Sequence, residues 1–387
     1  MDMIEWVFWG SVAFVAYTYA GYPALLAILA SRRSAPRGPG SDARPGVSIV
    51  IVAHDEERHI DQKMRDCLSQ DYQSGPVEVL VASDGSRDRT DEIVGSYASK
   101  GVRLFCLPGP RGKPTALNHV VPRAAGEIVV LTDARQRLDP GAVSALVERL
   151  ADPAVGAVSG ELHIVGAPGS VTGAGVGAYW CLEKWLRRME ARIDSTVGVT
   201  GAIYAIRRDL FPALPEDLIL DDVAVPMAVV RGGHRVVFEG RAQAFDTAST
   251  TAGEFRRKVR TLAGNLQLVW LEPWLLNPWE NRLWWQLVSH KLARLVVPWA
   301  LAAILATGAT LGNSEPSRPF YAAMTLAQLG FYGTGLVGWL AERSGRRIRL
   351  LSVPAAFCLL NAAAVLAALQ FASGRSRANW KSGGAAA

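Results

Sequence analysis

Apolar residues in this chain form short runs in its middle and much longer runs towards its two ends. The short runs are residues 47–53, 77–82, 102–107 and 127–132. Between them, stretches with helical periodicity cover residues 57–70, 88–100 and 115–124. A continuous apolar run is typical of a strand buried on both faces, and this alternation predicts a parallel sheet covered by helices. The expected fold class is α/β, with a Rossmann-like central domain.

Four long segments contain no charged residue, and each is about the length that crosses a bilayer. They are residues 6–30, 295–311, 319–341 and 350–373. We therefore expect about four transmembrane helices, one within residues 1–31 and three within residues 287–374. Because the first segment opens with Asp2 and Glu5 instead of basic residues, it is predicted to be an anchor and not a signal peptide.

Basic residues indicate which side of the membrane each connection faces. Arg32, Arg33, Arg37 and Arg44 follow the first segment, and the connection at residues 342–349 is also basic. The positive-inside rule places both in the cytoplasm, together with the central domain. The same topology puts the basic tail at residues 375–387 outside, which the rule does not favour. The expected location is a bacterial inner membrane, which the chain crosses several times.

Charge and cysteine content exclude other classes of protein. The net charge of +6 is explained by arginines that flank the apolar segments, and no basic run interleaved with aromatics indicates a nucleic-acid partner. The four cysteines lack the C-x-x-C spacing of a zinc site. No strand is followed by a glycine-rich phosphate loop, so phosphates must be held by metal or by side chains.

Carboxylates follow the predicted strands. Asp55, Asp84 and Asp133 each follow an apolar run, and the pair Asp221–Asp222 comes later. Ligands of open parallel sheets bind at the carboxyl ends of the strands, so these acids should gather on one rim. Such a rim can hold a divalent cation, bind nucleotide hydroxyls and deprotonate an alcohol, which suits an enzyme that uses a sugar nucleotide.

An ordered set of motifs covers roughly residues 45–270. It comprises S-I-V-I-V-A-H-D-E-E-R-H-I at 48–60, S-D-G-S-R-D at 83–88, G-K-P-T-A-L-N at 112–118, L-T-D-A-R at 131–135, T-G-A-I-Y-A-I-R-R at 200–208, L-D-D-V-A-V-P at 220–226 and F-R-R-K-V-R-T-L-A-G-N at 255–265. The set resembles the membrane-integrated family 2 glycosyltransferases, inverting enzymes that include cellulose, hyaluronan and chitin-oligosaccharide synthases. The resemblance implies a linker at 32–45, a GT-A domain at 46–250 and interfacial helices at 251–286.

The resemblance also implies a nucleotide-diphosphate sugar donor, expected to be a UDP-sugar, and residues that bind it. Asp55, Glu56 and Asp84 fall where the family contacts the nucleotide, although S-D-G-S around Asp84 is also an ordinary turn sequence. The residues that fall where the family holds the donor's sugar and diphosphate are Lys113, Asn118, Asp133, Arg257 and Arg260.

Asp133 matches the first acid of the family's D-x-D motif, which holds donor and metal. The motif here reads Asp133-Ala134-Arg135, so an arginine stands where a second acid is expected. We expect Mg²⁺ or Mn²⁺ bound by Asp133 and by donor phosphates. Alternatively, Arg135 offsets the phosphate charge directly.

The Asp221–Asp222 pair matches the family's acidic pair, whose second member is the general base. Asp222 would take the proton from the acceptor hydroxyl, with Asp221 as its partner. Two acids before an apolar stretch are equally typical of a helix N-cap, and the two interpretations are compatible. Thr200, Gly201 and Ala202 resemble the stretch that shapes the acceptor site, or form a tight loop.

The family's Q-x-x-R-W motif is altered to R-K-V-R-T at residues 257–261, so Thr261 replaces a tryptophan that could stack on the acceptor. Further along, His290, Lys291 and Arg294 are expected to extend towards the membrane surface or, alternatively, to line a polar passage.

The leading functional hypothesis is extension of a β-linked polysaccharide at the inner membrane. The alternatives are transfer of one sugar to a lipid acceptor and, from a different class, a non-catalytic membrane scaffold. The expected partners are the donor, a sugar-polymer or lipid acceptor, and the bilayer. Three C-terminal spans are few for a secretion channel, so a second copy or an export partner would complete it.

Overall fold

A computed structural model describes residues 2–33, 45–165, 171–247, 251–314, 319–344, 346 and 348–374. Most of the predicted linker at 32–45, with Arg37 and Arg44, lies outside these residues, and so does the tail at 375–387.

The central domain is built on one mixed sheet of eight strands. The strands are β1 (Val47–Ala53), β2 (Val77–Asp84), β3 (Val102–Leu107), β4 (Ile128–Asp133), β5 (Arg137–Leu138), β6 (Val155–Val165), β7 (Tyr204–Arg207) and β8 (Arg235–Thr247). Their order in the sheet is β3-β2-β1-β4-β7-β6-β8-β5, with β1, β2, β3 and β4 parallel and β7 antiparallel to both its neighbours. Strand order changes direction between β1 and β4, and a crevice forms outside the carboxyl ends of such strands.

Thirteen α-helices are found in the described residues. They are α1 (Met3–Ala16), α2 (Tyr22–Ser31), α3 (Ile60–Leu68), α4 (Thr90–Gly95), α5 (Lys113–Val120), α6 (Ala142–Leu150), α7 (Val171–Ile193), α8 (Asp221–Arg231), α9 (Thr251–Leu271), α10 (Trp284–Leu287), α11 (Ala293–Ser314), α12 (Pro319–Arg343) and α13 (Arg349–Ala372). Two π-helical turns, Tyr17–Gly21 and Val288–Leu292, join α1 to α2 and α10 to α11.

Both faces of the sheet are buried, as the continuous apolar runs predict. Ile49 and Ile51 face a core that includes α3 and α6, whereas Val50 and Val52 face a core that includes α5, α8 and α9. Alternate residues of one strand therefore reach opposite cores, and every residue of β1 is buried. The predicted α/β fold is confirmed.

Several predicted elements have different bounds in the structure. The helix expected at residues 88–100 is α4 followed by one 3₁₀ turn at Ala98–Lys100. It begins late because the Asp88 carboxylate accepts the N–H groups of Thr90 and Glu57, which holds the preceding loop in place. Residues 235–247 form one continuous strand, β8, whose pairing with β6 shifts register opposite Ser159 to Glu161.

Three helices in the described residues are long and apolar enough to cross a membrane: Met3–Ser31, Trp284–Asn313 and Leu350–Ala372. The fourth expected span, α12, is a helix of 25 residues but is not among these three. It packs closely on α13, since a Cβ at Gly338 would lie 2.6 Å from the Leu351 carbonyl oxygen. Small residues at such a contact allow close helix packing within a membrane.

Candidate active site

The carboxyl ends of β1, β2 and β4 lie side by side and place Asp55, Asp84 and Asp133 along one edge of the sheet. Asp133 is the last residue of β4 and pairs in register with Val52 of β1. The predicted rim of acids is therefore present. The contacts made by each acid are nevertheless different.

Lys113 joins two of the predicted acids. Its Nζ lies 3.0 Å from Oδ1 of Asp133 and 3.0 Å from Oδ2 of Asp221. Burial opposes the charge of Lys113, but these two carboxylates outweigh it and hold the pKa of Lys113 well above its ordinary value. The three charged groups, one from each of α5, β4 and α8, form a single cluster at the crevice.

Gly201 lies directly against this cluster. A Cβ on Gly201 would be 3.6 Å from Oδ2 of Asp133 and 3.7 Å from Nζ of Lys113. Its neighbour Thr200 donates its backbone N–H to Ser159, and Ala202 donates to the Thr200 hydroxyl. The segment expected to shape the acceptor site is therefore an ordered loop whose glycine leaves room beside the charged groups.

Asp222 lies next to this cluster on the first turn of α8. Burial, followed by the negative charge of Asp221, raises the pKa of Asp222 to about 6. The N-cap interpretation is wrong: Leu220 occupies that position, and no side chain caps the helix. Both acids lie instead within the first turn, where the helix dipole favours negative charge. A carboxylate with this pKa is suited to accept a proton near neutral pH.

Asp84 is fully buried, and its carboxylate holds a loop in place. Its two oxygens accept the backbone N–H groups of Arg111 and Gly112 at 2.8 and 2.7 Å. Gly85 has a φ of +67° and lies very close to Gly109. A Cβ on Gly85 would be 2.6 Å from the carbonyl carbon of Gly109. The Asp84 carboxylate therefore holds the loop that precedes Lys113, and its contact with the nucleotide stays a prediction.

Asp55 and Glu56 remain at the open edge of the crevice. Asp55 has a φ of +53°, and its carboxylate accepts the Arg87 N–H at 2.7 Å. Burial raises the pKa of Glu56 to about 7, with the charges of Asp133 and Asp88 adding to the effect and Arg135 opposing it. Glu56 therefore lies within electrostatic reach of Asp133.

Asn118 makes structural contacts. Its amide nitrogen donates to the Leu214 carbonyl at 2.7 Å, and its amide oxygen accepts the Leu214 N–H at 2.9 Å. Both ends of the amide are thus used within the protein. Of the α9 arginines, Arg257 pairs with Glu254, and Arg260 is exposed. The structure does not bring either arginine into contact with Lys113 or Asp133.

Arg135, in the position of the missing second acid, is anchored by a residue far along the chain. Its guanidinium lies 2.6 Å from Oδ2 of Asp246, which is 2% exposed and also accepts from Gln136. The described residues contain no group of three or more candidate metal ligands. The Asp133 side chain is 40% exposed at the crevice, and the residues fit a cation held by this carboxylate and by phosphate oxygens.

Sequence reasoning missed Tyr204 and a buried ionic cluster. The Tyr204 hydroxyl is buried beneath Asp221 and Lys113 and has no hydrogen-bond partner among the described residues. Tyr204 could have been suspected only from its place in the T-G-A-I-Y motif, because its hydroxyl reaches the site through tertiary packing.

The missed cluster lies where the domain meets the membrane helices. Nε2 of His290 is 2.8 Å from Glu183, and its Nδ1 is 2.7 Å from Glu190. Lys291 and Arg294 also pair with Glu183, at 2.9 and 2.8 Å. The expectation that these three bases extend towards the membrane surface is wrong, because two α7 carboxylates hold them inside the protein.

Known proteins resemble this chain in sequence and fold. Residues 48–214 match the family model described as glycosyl transferase family 2. A beta-monoglucosyldiacylglycerol synthase from Trichormus variabilis is 25% identical over 307 residues, which cover 76% of this chain and 65% of that protein. An N-acetylglucosaminyltransferase from Rhizobium leguminosarum bv. trifolii is 32% identical over 123 residues, which cover 30% of this chain and 67% of that protein.

The chain spans less than two thirds of the length of the Trichormus protein. Among solved structures, a mannosyltransferase from Pyrobaculum calidifontis in complex with GDP-Man and Mn²⁺ has a TM-score of 0.71 and 23% sequence identity. The similarity covers 96% of this chain and 100% of that one. At this identity the likeness shows the GT-A fold.

Proposed function

This chain belongs to glycosyl transferase family 2, and we propose that it catalyses an inverting transfer of a sugar from a nucleotide-diphosphate donor to an acceptor hydroxyl at a membrane surface. One observation carries the proposal. Asp222, a carboxylate with a raised pKa, lies beside the Lys113–Asp133–Asp221 cluster at the carboxyl end of the sheet. This arrangement supports Asp222 as the base and Lys113 as a group that binds the anionic leaving group.

The donor lies along the rim. Asp55 and Glu56 face its nucleoside, and Lys113 supplies positive charge to its diphosphate. Asp133 holds a divalent cation, Mg²⁺ or Mn²⁺, which when bound neutralises charge on the leaving diphosphate. Arg257 and Arg260 of α9, which do not contact Lys113 or Asp133, would add positive charge once the donor is bound. We propose a UDP-sugar as the donor.

Asp222 acts as the general base. It takes the proton of the acceptor hydroxyl as the oxygen attacks the anomeric carbon from the face opposite the leaving nucleotide, which inverts the anomeric configuration. Asp221 supports this role because its negative charge raises the proton affinity of Asp222. Thr200, Gly201 and Ala202 border the space in which the acceptor lies.

We propose a lipid as the acceptor. A cavity of about 410 Å³ lies between α11, α12 and α13, with Leu301, Tyr332, Leu336, Trp339 and Phe357 among its lining residues. These side chains suit a hydrocarbon chain better than a sugar chain. Extension of a β-linked polysaccharide is the second candidate. It is supported by the ordered motifs shared with polysaccharide synthases and weakened by Thr261 in place of their tryptophan.

The membrane location follows from the apolar helices. We propose that the chain crosses a bacterial inner membrane several times and that its catalytic domain faces the cytoplasm. The basic residues Arg32 and Arg33 directly after the first apolar helix support this orientation.

Product analysis tests the proposal. Membranes that contain the protein are incubated with a panel of labelled UDP- and GDP-sugars, with and without Mg²⁺ or Mn²⁺. We expect release of nucleoside diphosphate and one labelled product that partitions into organic solvent. A ladder or a high polymer would favour polysaccharide extension instead. If no donor yields nucleoside diphosphate, the proposed activity is wrong.

A further inference from the structure

The most deeply buried lysine among the described residues lies on α3, within hydrogen-bond reach of β4. Lys63 is 1% exposed, and its neighbours on the same helix face, Ile60 and Cys67, belong to the apolar core. Burial lowers the pKa of the Lys63 ammonium below its ordinary value. A charged group in such a place is costly unless its N–H groups are used, so its hydrogen bonds indicate its role.

The ammonium of Lys63 bonds to both ends of the altered D-x-D motif. Its Nζ donates to the Thr132 hydroxyl at 2.6 Å and to the Gln136 backbone carbonyl at 2.7 Å. These two residues directly flank the motif at residues 133–135. One charged group therefore spans the motif and holds both of its ends to α3.

The same hydrogen bonds continue to the loop expected to border the acceptor. The Thr132 hydroxyl donates to the Ala202 carbonyl at 2.7 Å. A hydroxyl has one proton to donate, so Thr132 must accept from Lys63 while it donates to Ala202. A Cβ on Gly201, the residue before Ala202, would lie 3.6 Å from Oδ2 of Asp133. The chain of hydrogen bonds thus runs one residue away from the contact between the loop and Asp133.

A second anchor holds the far end of the motif. Oδ2 of Asp246 accepts from the Arg135 guanidinium at 2.6 Å and from the Gln136 side-chain amide at 3.0 Å. These two bonds restrain the end of the motif that is farther from β4. The link from the motif to the loop at residues 200–202 goes instead through the Thr132 hydroxyl, and Lys63 completes it.

We propose that Lys63 is a positioning residue, which fixes the carboxylate of Asp133 relative to the loop at residues 200–202. The inference rests on the proposed function, in which Asp133 holds a cation beside the donor diphosphate and the loop borders the acceptor. Lys63 is buried in the core and would touch neither substrate. Its role is to keep the donor side and the acceptor side of the crevice at a constant separation, because small misplacements of reacting groups are costly.

Hydrogen exchange tests the inference on the full chain in detergent, without donor, acceptor or metal. Lys63→Met keeps the length of the side chain and removes the ammonium. We expect the backbone amides of residues 133–137 and 200–204 to exchange at least about tenfold faster, since a hydrogen bond that holds each segment is lost or weakened. Arg65→Met, which breaks an exposed pair with Asp61 on the same helix, is the matched control and should leave both segments unchanged.

A second pair of variants tests the link through Thr132. Thr132→Val has nearly the same shape but no hydroxyl, so exchange at residues 200–204 should become about tenfold faster. Thr132→Ser retains the hydroxyl, and this segment should exchange as in the original chain. Because the comparison leaves Lys63 in place, it decides the inference if Lys63→Met does not fold.

Cation binding tests the consequence for the site without any transfer. Free Mn²⁺ is measured by electron paramagnetic resonance in titrations with saturating UDP or GDP. Lys63→Met should weaken Mn²⁺ binding at least about tenfold, as loss of a group that orients a metal ligand does, and Arg65→Met should not. If the original chain binds no Mn²⁺ with either nucleotide, the cation of the proposed function is wrong, and hydrogen exchange still decides the role of Lys63.

Four results would overturn the inference. The first is unchanged exchange of both segments in Lys63→Met. The second is an even increase of exchange over the whole central domain, which would give Lys63 a role in stability alone. The third is equal exchange at residues 200–204 in Thr132→Val and Thr132→Ser. The fourth is unchanged Mn²⁺ affinity of Lys63→Met despite faster exchange, since the link would then have no effect on Asp133.

Discussion

At the scale of single residues, burial and neighbouring charges give the aspartates of the site different properties. Asp133 and Asp221 share the ammonium of Lys113, whereas Asp222 makes no ion pair with a described residue, and burial raises its pKa to about 6. Both carboxylate oxygens of Asp84 accept backbone N–H groups of one loop. Residues of one type thus differ in burial and partners, which is why we propose different roles for them.

The raised pKa of Asp222 predicts how rate depends on pH. Asp222 accepts a proton only when it is ionised, so the rate of transfer at saturating substrates should rise with pH and level off above about 6. The rate is measured from pH 4.5 to 8.5 by nucleoside diphosphate release. A rate that stays level down to pH 4.5 would contradict the assignment of Asp222.

The same shift predicts how stability depends on pH. The folded protein retains the Asp222 proton up to about pH 6, whereas the unfolded chain releases it near the ordinary value of 3.8. Asp222 therefore contributes stability below pH 3.8, and this contribution is lost as pH rises through 6. Asp222→Asn should raise the Tm at pH 7.5 more than at pH 4.5, as followed by thermal melting. An equal change at both pH values would contradict the shift.

Asp133 should determine the metal requirement. Chelation with EDTA is expected to abolish transfer, and added Mn²⁺ or Mg²⁺ should restore it. Asp133→Asn should raise the metal concentration needed for half-maximal rate by at least about tenfold, because a carboxylate is a much better ligand for these cations than an amide. The control is Asp139→Asn, because the Asp139 carboxylate lies outside the crevice and accepts the Gly141 N–H. Full activity in EDTA would show that Arg135 and Lys113 neutralise the leaving diphosphate without a metal.

At the scale of elements, α9 sets the position of the catalytic helix. Gln267 accepts the Ile219 N–H at 3.0 Å and donates to the Asp217 carbonyl at 2.9 Å. Gly264 lies so close to the same segment that a Cβ there would be 2.7 Å from Cγ of Leu220. The segment directly before Asp221 is therefore held against α9 by both hydrogen bonds and packing.

A side chain at Gly264 should displace this segment. Gly264→Ala is expected to lower kcat by about tenfold or more, because small misplacements of catalytic groups are costly. The matched control is Gly330→Ala in α12, where nothing lies within 4 Å of the added Cβ and activity should not change. The kcat of both variants is compared with that of the original chain. Unchanged kcat in Gly264→Ala would show that α9 does not position α8.

The strands were easier to predict than the contacts between them. β1 begins and ends where its apolar run does, because burial on both faces leaves a continuous signal. The pairing of Arg135 with Asp246 joins residues 111 positions apart, and no local pattern indicates it. For the same reason the sequence could not indicate that Asp84 and Asn118 contact backbone groups that only the fold brings near.

At the scale of the whole molecule, a buried ionic cluster joins the catalytic domain to the membrane helices. Glu190 of α7 accepts from Tyr22 of α2 at 2.6 Å and lies 2.7 Å from His290, in the π-helical turn that precedes α11. A second π-helical turn lies alongside, since the Tyr17 hydroxyl is 2.7 Å from the Ser289 hydroxyl. π-helical turns often occur at functional sites, and these two align the domain with the apolar helices.

Removing one member of this cluster should destabilise the whole chain. Glu190→Gln leaves His290 without its second carboxylate, and breaking a buried pair costs about 3–5 kcal/mol. The expected result is a clearly lower Tm in detergent. Glu92→Gln, which breaks the exposed pair with Arg89, is the control and should leave the Tm almost unchanged. Equal Tm values for the two variants would show that the cluster does not hold the domain to the helices.

The most direct test of the proposed chemistry separates donor binding from transfer in a single variant. Asp222→Asn keeps the size of the side chain and removes the base, so transfer should fall by at least about 10²-fold while the affinity for the nucleotide-sugar donor stays the same. Transfer is measured as labelled product in a single turnover, and affinity by calorimetry with the same donor. Unchanged transfer would contradict the account and favour a non-catalytic scaffold, and loss of donor affinity would show that Asp222 binds the donor instead.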